Sequence, residues 1–509
     1  MATINDIYAG MPDAKDEMIT DEGERFFESF IVPPGLPTEQ LLNGKKCLVS
    51  GFKGVGKTSV LYYLENEAKK REETTITSFV YFKSDFSELR KSAFESIANR
   101  MISVVDMSAD VNQIKVEYLY IWRWVFFKKI VDDLTNGTFE NVLFEEDDNW
   151  HNFVKSVNKI NYSSENKNTI SLSALSLSVQ ASSSEGLSAS AEASFESSPH
   201  DQIIKFSEAV DKCESYFKLL KRTAVPYYIF IDEMEVFYGS IDLLKRDLTL
   251  IRDLIFTIHR LNSYKIAHFI AAIRNEVVFA MDRFIQTNEI NKIIDGYSAP
   301  IRWYYSNTNS IDHPIIQVLM KRISLACGGV EQHFYDWFPE EVNGKDTVSY
   351  ILDNGWNKPR DIVRLLMAAQ NDSLHCSDTS FSQASFDTLR KEYSKNSLAE
   401  IRQELQSLYT SEEIEMILKL LRGGERIFNA ESLRKKAPKG SKAREFINER
   451  YDDIIEDFYR VGFWGNVKRI EPTYHWRWNH KQDTGVLTTN GWELVIHPAL
   501  YSELSISFF

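Results

Sequence analysis

Eight residues in the first part of the chain have the types and spacing of a phosphate-binding loop. Gly51–Thr58 reads GFKGVGKT, which fits G-x-x-x-x-G-K-[ST] and stands between an apolar run and a helical pattern. In such a loop, glycines let backbone N–H groups turn toward phosphate oxygens. The lysine places a positive charge beside the β- and γ-phosphates, and the threonine hydroxyl binds Mg²⁺. A chance glycine-lysine turn is the alternative, which this context disfavours. The residues expected to bind the nucleotide are Gly51, Gly54, Val55, Gly56, Lys57, Thr58 and Ser59, with Lys57 also catalytic and Thr58 also a metal ligand.

A pair of acidic residues follows another apolar run. Their carboxylates could serve as a metal ligand and as a general base. Tyr227–Ile231 is apolar and is followed directly by Asp232 and Glu233. A buried strand that ends in an acid delivers it to the edge of the sheet where α/β proteins bind ligands. We expect Asp232 to hold Mg²⁺ and Glu233 to polarise the attacking water, with Glu235 a weaker candidate. An ordinary strand-to-helix turn is the alternative.

Two arginines are candidates for contacts with the nucleotide. Arg274 ends the apolar run FIAAIR, and a cation there would lie beside the γ-phosphate and act in catalysis. Arg360 follows Pro359 at the start of a predicted helix and would reach the nucleotide from a lid. Solvated surface arginines are the alternative at both positions.

The elements that must position these residues follow from the alternation of apolar runs and helical patterns. The apolar runs are Cys47–Ser50, Phe79–Phe82, Tyr227–Ile231, Ala267–Ile273 and a weaker one near Pro300–Trp303. Buried strands that alternate with amphipathic helices predict a parallel sheet covered on both faces, an α/β fold. The predicted units are an extension over 1–38, a P-loop ATPase core over 39–310, a helical lid over 311–400 and a last domain over 401–509.

The stretch between the second and third apolar runs is too long for one crossover helix. A helical pattern runs from Val116 to Leu134, and residues 163–198 are rich in Ser and Ala. Within this part, apolar residues alternate with Ser, which favours an inserted β-hairpin over a flexible linker. We therefore expect a Ser-rich β insertion at about residues 140–200.

The last part of the chain has the outline of a winged helix. Three helices are predicted over Glu412–Leu421, Ala430–Ala437 and Phe446–Tyr459, and Trp-rich strands follow at Gly462–Trp464, Tyr474–Trp478 and Trp492–His497. Five basic residues crowd the turn before the third helix and are candidates for DNA phosphate contacts. They are Lys435, Lys436, Lys439, Lys442 and Arg444. A solvated loop or a protein-docking module is the alternative.

These motifs, in this order, resemble the AAA+/STAND division of P-loop ATPases, over about Glu39–Leu366. GFKGVGKT and YYIFIDE resemble its two nucleotide motifs, FIAAIR its sensor, and NKPRDIVRLL its lid helix. Bacterial single-chain P-loop ATPases of phage-defence and mobile-element loci are the most similar. The resemblance implies ATP hydrolysis with Mg²⁺. The long insertion and Arg274, where many AAA+ motors carry Asn, favour a STAND-like switch over a ring-shaped motor. Arg283 is a candidate for an intersubunit arginine finger.

Composition limits the compartment and the partners. The chain has 509 residues, 73 acidic against 59 basic residues, and a formal net charge of −14, so any nucleic-acid contact needs a local basic patch. The four cysteines lie far apart, which fits a reducing cytoplasm. Neither a signal peptide nor a membrane span is predicted.

Three functions remain open from the sequence. The first is an ATP-hydrolysing switch or assembly platform in anti-phage defence, with homo-oligomerisation and a separate effector protein as the expected partners. The second is a DNA-binding or remodelling ATPase akin to replication initiators. The third is a scaffold that binds the nucleotide without hydrolysing it.

Overall fold

The computed structural model places the five predicted apolar runs in one parallel β-sheet. It describes residues 2–11, 13–19, 23–95, 118–135, 142–160, 199–236, 239–285, 288–304, 310–471 and 473–506. The strands are β1 (Leu48–Gly51), β2 (Ile76–Tyr81), β3 (Tyr227–Met234), β4 (His268–Arg274) and β5 (Ser298–Pro300). Their order is β2-β3-β4-β1-β5, and every pairing is parallel. The predicted α/β class is therefore confirmed.

Burial explains why the strands read as continuous apolar runs. All four residues of β1 are buried, and Glu233 is the one residue of β3 that is not. A parallel sheet is covered on both faces, so it needs apolar residues at successive positions rather than alternate ones. The helices α4 and α10 both contact β4, near the middle of the sheet. The helices of this part are α1 (Ala14–Ile19), α2 (Glu24–Ser29), α3 (Thr38–Leu42), α4 (Lys57–Arg71), α5 (Phe82–Asp85), α6 (residues 88–95), α7 (Leu119–Thr135), α8 (Asp148–Lys159), α9 (Pro199–Phe217), α10 (Ile241–Ser263), α11 (Asn275–Phe284) and α12 (Asn288–Tyr297).

The excursion between β2 and β3 contributes to the core. The helix α7, which confirms the pattern over Val116–Leu134, contacts α8, α9 and α10. Its Trp122 is buried, and the indole Nε1 donates to the Leu250 carbonyl at 3.0 Å. Residues 148–159 form helix α8, so the predicted β insertion at about 140–200 is wrong for that part. The predicted hairpin over 163–198 lies outside the described residues.

A helical unit follows the sheet. It contains α13 (Pro314–Ala326), α14 (Phe334–Trp337), the two-residue strands β6 (Glu341–Val342) and β7 (Lys345–Asp346), α15 (Thr347–Asp353), α16 (Pro359–Gln370) and α17 (Gln383–Leu405). The polar stretch from Asp372 to Ser382 separates α16 from α17. The helix α17 continues past residue 400, so the predicted end of the lid falls within a helix.

The carboxyl-terminal module combines short helices with an antiparallel sheet of order β10-β9-β11-β8. Its elements are α18 (Ser411–Leu421), β8 (Ile427–Phe428), α19 (Glu431–Lys436), α20 (Lys442–Glu449), α21 (Tyr451–Arg460), β9 (Trp464–Ile470), β10 (Thr473–Arg477), β11 (Glu493–Ile496) and α22 (Tyr501–Leu504). Strand β9 begins at Trp464 rather than at the predicted Gly462, where the backbone has a φ of +77°, outside the extended region.

The prediction of a single helix over Phe446–Tyr459 is wrong, because the helical conformation is interrupted at Arg450. This residue has φ −115° and ψ 26°, and it separates α20 from α21. Its guanidinium lies 4.4 Å from the centre of the Tyr409 ring. The break therefore coincides with a contact to a residue distant in sequence, which local periodicity does not report.

None of the helices among the described residues combines the length and the apolar character needed to cross a membrane.

Candidate functional site

The carboxyl ends of β1, β3 and β4 meet at one edge of the sheet and bring the predicted site residues together. The glycine-rich loop (residues 51–58) joins β1 to α4, while Asp232 and Arg274 lie at the ends of β3 and β4. One cleft is lined by Gly54, Gly56, Lys57, Thr58, Ser59, Asp232, Glu233, Arg274 and Arg360.

Two predicted loop residues lie beneath the cleft instead of lining it. Gly51 ends β1, and a Cβ there would lie 2.6 Å from the Val55 Cγ2. Val55 is buried, and its carbonyl accepts from the Trp303 indole Nε1 at 2.9 Å. We conclude that Gly51 and Val55 shape the loop by packing.

Gly54 is the point where the helical unit touches the glycine-rich loop. It has a φ of +80°, which favours glycine, and a Cβ would lie 2.8 Å from the Glu400 Oε1 and 3.1 Å from the Arg360 Cβ. The Arg360 N–H donates to the Gly54 carbonyl at 3.4 Å. Arg360 therefore lies against the glycine-rich loop, and its contact with a nucleotide stays a prediction.

Lys57 is the buried cation of the cleft. It begins α4, and its ammonium donates to the carbonyls of Gly51 at 2.9 Å and Phe52 at 2.8 Å. Burial lowers the pKa of Lys57 to about 7, although Glu276 acts in the opposite direction. A lysine at the amino terminus of a long helix, where backbone N–H groups are unpaired, is well placed to bind an anion.

Asp232 and Thr58 provide adjacent oxygen ligands. Asp232 is buried and lines the cleft together with Thr58. Burial raises the pKa of the Asp232 carboxyl, while Thr58 and Lys57 oppose that rise. A hydroxyl beside a carboxylate is a donor set of hard oxygens, which suits Mg²⁺. The residues present therefore fit the predicted metal.

Glu233 turns into the cleft because the strand is irregular there. The pairing of β3 with β4 shifts register between Ile231 and Met234, and Glu233 has a φ of +59°. Its Oε2 accepts from the Ser84 N–H at 2.9 Å and the Ser84 Oγ at 2.5 Å. Its Oε1 lies 3.4 Å from the Lys15 Nζ. Both carboxylate oxygens of the predicted base are thus engaged by the protein.

The two predicted arginines line the cleft and are paired with acids. Arg274 forms an ion pair with Glu235, which also lies 3.7 Å from the Lys83 Nζ. Arg360 Nη1 lies 3.8 Å from the Glu400 Oε1. The carboxylate of Glu235 is therefore engaged by two cations, Arg274 and Lys83.

The amino-terminal segment, described over residues 2–11, 13–19 and 23–31, lines the same cleft, and the sequence analysis missed it. Its lining residues are Met11, Asp13, Ala14, Lys15, Glu17, Phe26, Ser29, Phe30 and Ile31. The segment is polar and acidic and carries no motif, so no local signal pointed to it. Phe30 stacks on Tyr63 of α4, with ring centres 5.0 Å apart.

Arg322 of α13 anchors this segment to the helical unit. Its guanidinium is buried, donates to the Ala9 carbonyl and lies 3.9 Å from the Glu17 Oε1. Gly10 has a φ of +75°, and a Cβ there would lie 2.6 Å from the Arg322 Nη1. The chain therefore needs glycine at position 10 to pass this close to a buried cation.

A network of buried charges holds α16 against α17 behind the cleft. Arg364 donates to the Glu400 Oε2 at 2.8 Å and pairs with Asp361, and Lys358 donates to the Glu404 Oε1 at 3.1 Å. Burial raises the pKa of Glu404, whereas for Glu400 the effect of burial is outweighed by Arg364, Arg360 and Lys358, which lower its pKa. Glu400 thus connects this network to Gly54.

The helical unit is the part of the chain that comparison with known families identifies. Residues 313–402 match the FunZ-associated C-terminal helical domain. The match covers well under half of the chain, and the assignment of this unit as a lid stays a prediction. No curated protein shows significant similarity to the chain. The resemblance to AAA+/STAND ATPases therefore remains a prediction.

The basic residues of the carboxyl-terminal module do not form one free patch. Lys442 pairs with Glu412 at 2.8 Å, and the Arg444 guanidinium donates to the carbonyls of Arg434 and Ala437. Lys436 is half-buried, 5.1 Å from the centre of the Phe428 ring, while Lys435 and Lys439 are exposed. DNA contact through these residues stays a prediction.

Arg283, the candidate arginine finger, forms an ion pair within its own chain. It donates to the two carboxylate oxygens of Asp457 at 2.7 and 2.9 Å. Asp457 belongs to the carboxyl-terminal module and is fully buried. Arg283 therefore joins two parts of one subunit. This contact disfavours its role as an arginine finger that reaches the nucleotide of a neighbouring subunit.

Proposed function

We propose that this protein binds ATP with Mg²⁺ and hydrolyses it to ADP and phosphate, as a nucleotide-controlled switch of the AAA+/STAND type. The observation that carries the proposal is the convergence in one cleft of a buried lysine at a helix amino terminus, a hydroxyl-carboxylate pair and a second carboxylate. The sheet order supports it as well, because the ends of β1 and β3 flank β4 and face the same cleft.

Each residue has a distinct part in this proposal. The amides of the glycine-rich loop and Lys57 bind the β- and γ-phosphates, with Arg274 and Arg360 at the margins. Thr58 and Asp232 would hold Mg²⁺, which supplies neutralisation of phosphate charge. Glu233 accepts a proton as the water oxygen bonds to the γ-phosphorus, and the bond from that phosphorus to the bridging oxygen breaks, releasing ADP.

The switch part of the proposal rests on the contact between the glycine-rich loop and the helical unit. Gly54 touches Arg360 and Glu400, so a phosphate bound at Gly54 would alter the contacts of α16 and α17. The proposal also includes a setting and partners. The setting is anti-phage defence, and the partners are further copies of this chain, a separate effector protein and DNA.

Lys57→Ala is expected to weaken ATP binding about 100-fold, because it removes a buried charge-assisted contact to the phosphates. Binding of a fluorescent ATP analogue in the presence of Mg²⁺ measures the effect. Lys69→Ala is the matched control, since Lys69 lies on the same helix and pairs at 2.6 Å with Glu65 on the surface. Equal affinities for Lys57→Ala and the wild type would refute the proposed site.

ATP affinity is expected to fall as pH rises above about 7. Burial lowers the pKa of Lys57 to about 7, so the unliganded side chain loses its proton above that pH. The phosphates favour the charged lysine, so binding takes up a proton and affinity falls by up to about tenfold per pH unit. Calorimetry in buffers of different ionisation enthalpy counts that proton. Lys57→Arg should abolish the slope, because arginine stays charged; a wild-type affinity that is constant up to about pH 9 would contradict the assignment.

A further inference from the structure

We propose that Lys15, in the amino-terminal segment, is a ligand of the terminal phosphate of ATP and that it changes partner from Glu233 to that phosphate when ATP binds. This inference rests on the proposed function. It assigns a binding role to a residue outside every motif of the sequence.

The position of the Lys15 ammonium is the first argument. It lies 3.4 Å from the Glu233 Oε1 and 3.7 Å from the centre of the Tyr81 ring. Lys15 also lines the cleft together with Lys57 and Thr58. Glu233 is expected to hold the water that attacks the γ-phosphorus, so a cation in contact with Glu233 lies at the terminal-phosphate end of the cleft.

The chemistry of the present contact is the second argument. Among the described residues, the ion pair of Lys15 is the one to Glu233, at 3.4 Å, and the Lys15 side chain remains 31% exposed. Lysine carries a compact charge on a flexible four-carbon stem with three donors, so its ammonium can change partner without a movement of the backbone. A terminal phosphate brings up to two negative charges and three acceptor oxygens, against one charge on Glu233.

The segment that carries Lys15 is anchored to the helical unit. The Gln370 Nε2 donates to the Ile7 carbonyl at 2.6 Å, and the N–H of Ile4 donates to the Asp378 carbonyl at 2.9 Å. Arg322 holds Ala9 by its carbonyl. All three partners lie in the helical unit, so the same unit positions both Lys15 and Arg360 at the cleft.

A consequence for the proposed base follows from this exchange. While Lys15 contacts Glu233, the Oε1 is engaged by a cation and the Oε2 by Ser84. When the terminal phosphate takes over Lys15, the Oε1 becomes available to accept a proton from water. Binding of a triphosphate, and not of a diphosphate, would therefore release the base.

The test compares the affinities of Lys15→Ala for a non-hydrolysable ATP analogue, adenylyl imidodiphosphate, and for ADP, both with Mg²⁺. We expect affinity for the analogue to fall about tenfold and affinity for ADP to stay within about twofold of the wild type. Lys15→Arg should restore the preference for the triphosphate, and Lys69→Ala should leave both affinities unchanged.

Two results would overturn the inference and spare the proposed function. One is an equal loss for both nucleotides, which means that Lys15 only supports the fold of the segment. The other is no loss for either nucleotide, which means that Lys15 does not reach the phosphate. Failure of the wild-type protein to bind either nucleotide would instead overturn the proposed function and this inference together.

Discussion

Glu233→Gln is expected to slow ATP turnover by about 10²- to 10⁴-fold while leaving ATP affinity nearly unchanged. Glutamine keeps the size of the side chain and an oxygen that can accept from Ser84, but it cannot take a proton from water. Phosphate release under saturating ATP measures turnover, and binding of a fluorescent analogue measures affinity. The expected pattern is therefore a loss in kcat with little change in affinity.

Glu235→Gln is the matched control for this experiment. Glu235 lies two residues further along the chain and also lines the cleft, but Arg274 and Lys83 engage its carboxylate. We expect a much smaller loss of turnover than for Glu233→Gln. Normal turnover in Glu233→Gln, or a larger loss in Glu235→Gln, would show that Glu233 is not the base.

Asp457→Ala is expected to lower the free energy of unfolding by about 3–5 kcal/mol. Asp457 is fully buried and accepts from both Arg283 Nη atoms and, at 2.6 Å, from the Tyr409 hydroxyl. Removing the carboxylate leaves the half-buried guanidinium of Arg283 without its bidentate partner. Denaturation in urea, followed by circular dichroism and tryptophan fluorescence, measures the loss.

Two further variants show the cause of that loss. Asp453→Ala is the matched control, because Asp453 lies 3.5 Å from the same guanidinium on a half-exposed side chain, and we expect a cost below about 1 kcal/mol. The double variant Arg283→Met with Asp457→Leu should recover much of the stability, since it removes both charges. A cost below about 1 kcal/mol for Asp457→Ala would mean that this ion pair does not hold the module to the core.

Local patterns in the sequence were sufficient for the sheet and for the residues at its edge. Each of the five apolar runs lies within a few residues of a strand. The runs of β1, β3 and β4 are the clearest, because these strands are buried at nearly every position. The glycine-rich loop, Asp232 and Glu233 follow such strands directly. Because the carboxyl ends of parallel strands meet at one edge of the sheet, the sequence was enough to predict that these residues lie close together.

Other features depend on contacts between distant residues, which periodicity does not report. The ion pairs of Lys442 with Glu412 and of Arg283 with Asp457 are examples. The break at Arg450 accompanies a contact with Tyr409. In each case a local pattern identified the residue type correctly, but its partner lay in another element.

The sequence by itself determined the α/β class, the loop Gly51–Thr58 and the acids that follow β3, because these depend on residues adjacent along the chain. Only the tertiary structure placed Lys15 beside Glu233 and Glu400 beside Gly54. The physical reason is that both contacts join segments separated by hundreds of residues, and burial between the helical unit and the sheet brings them together.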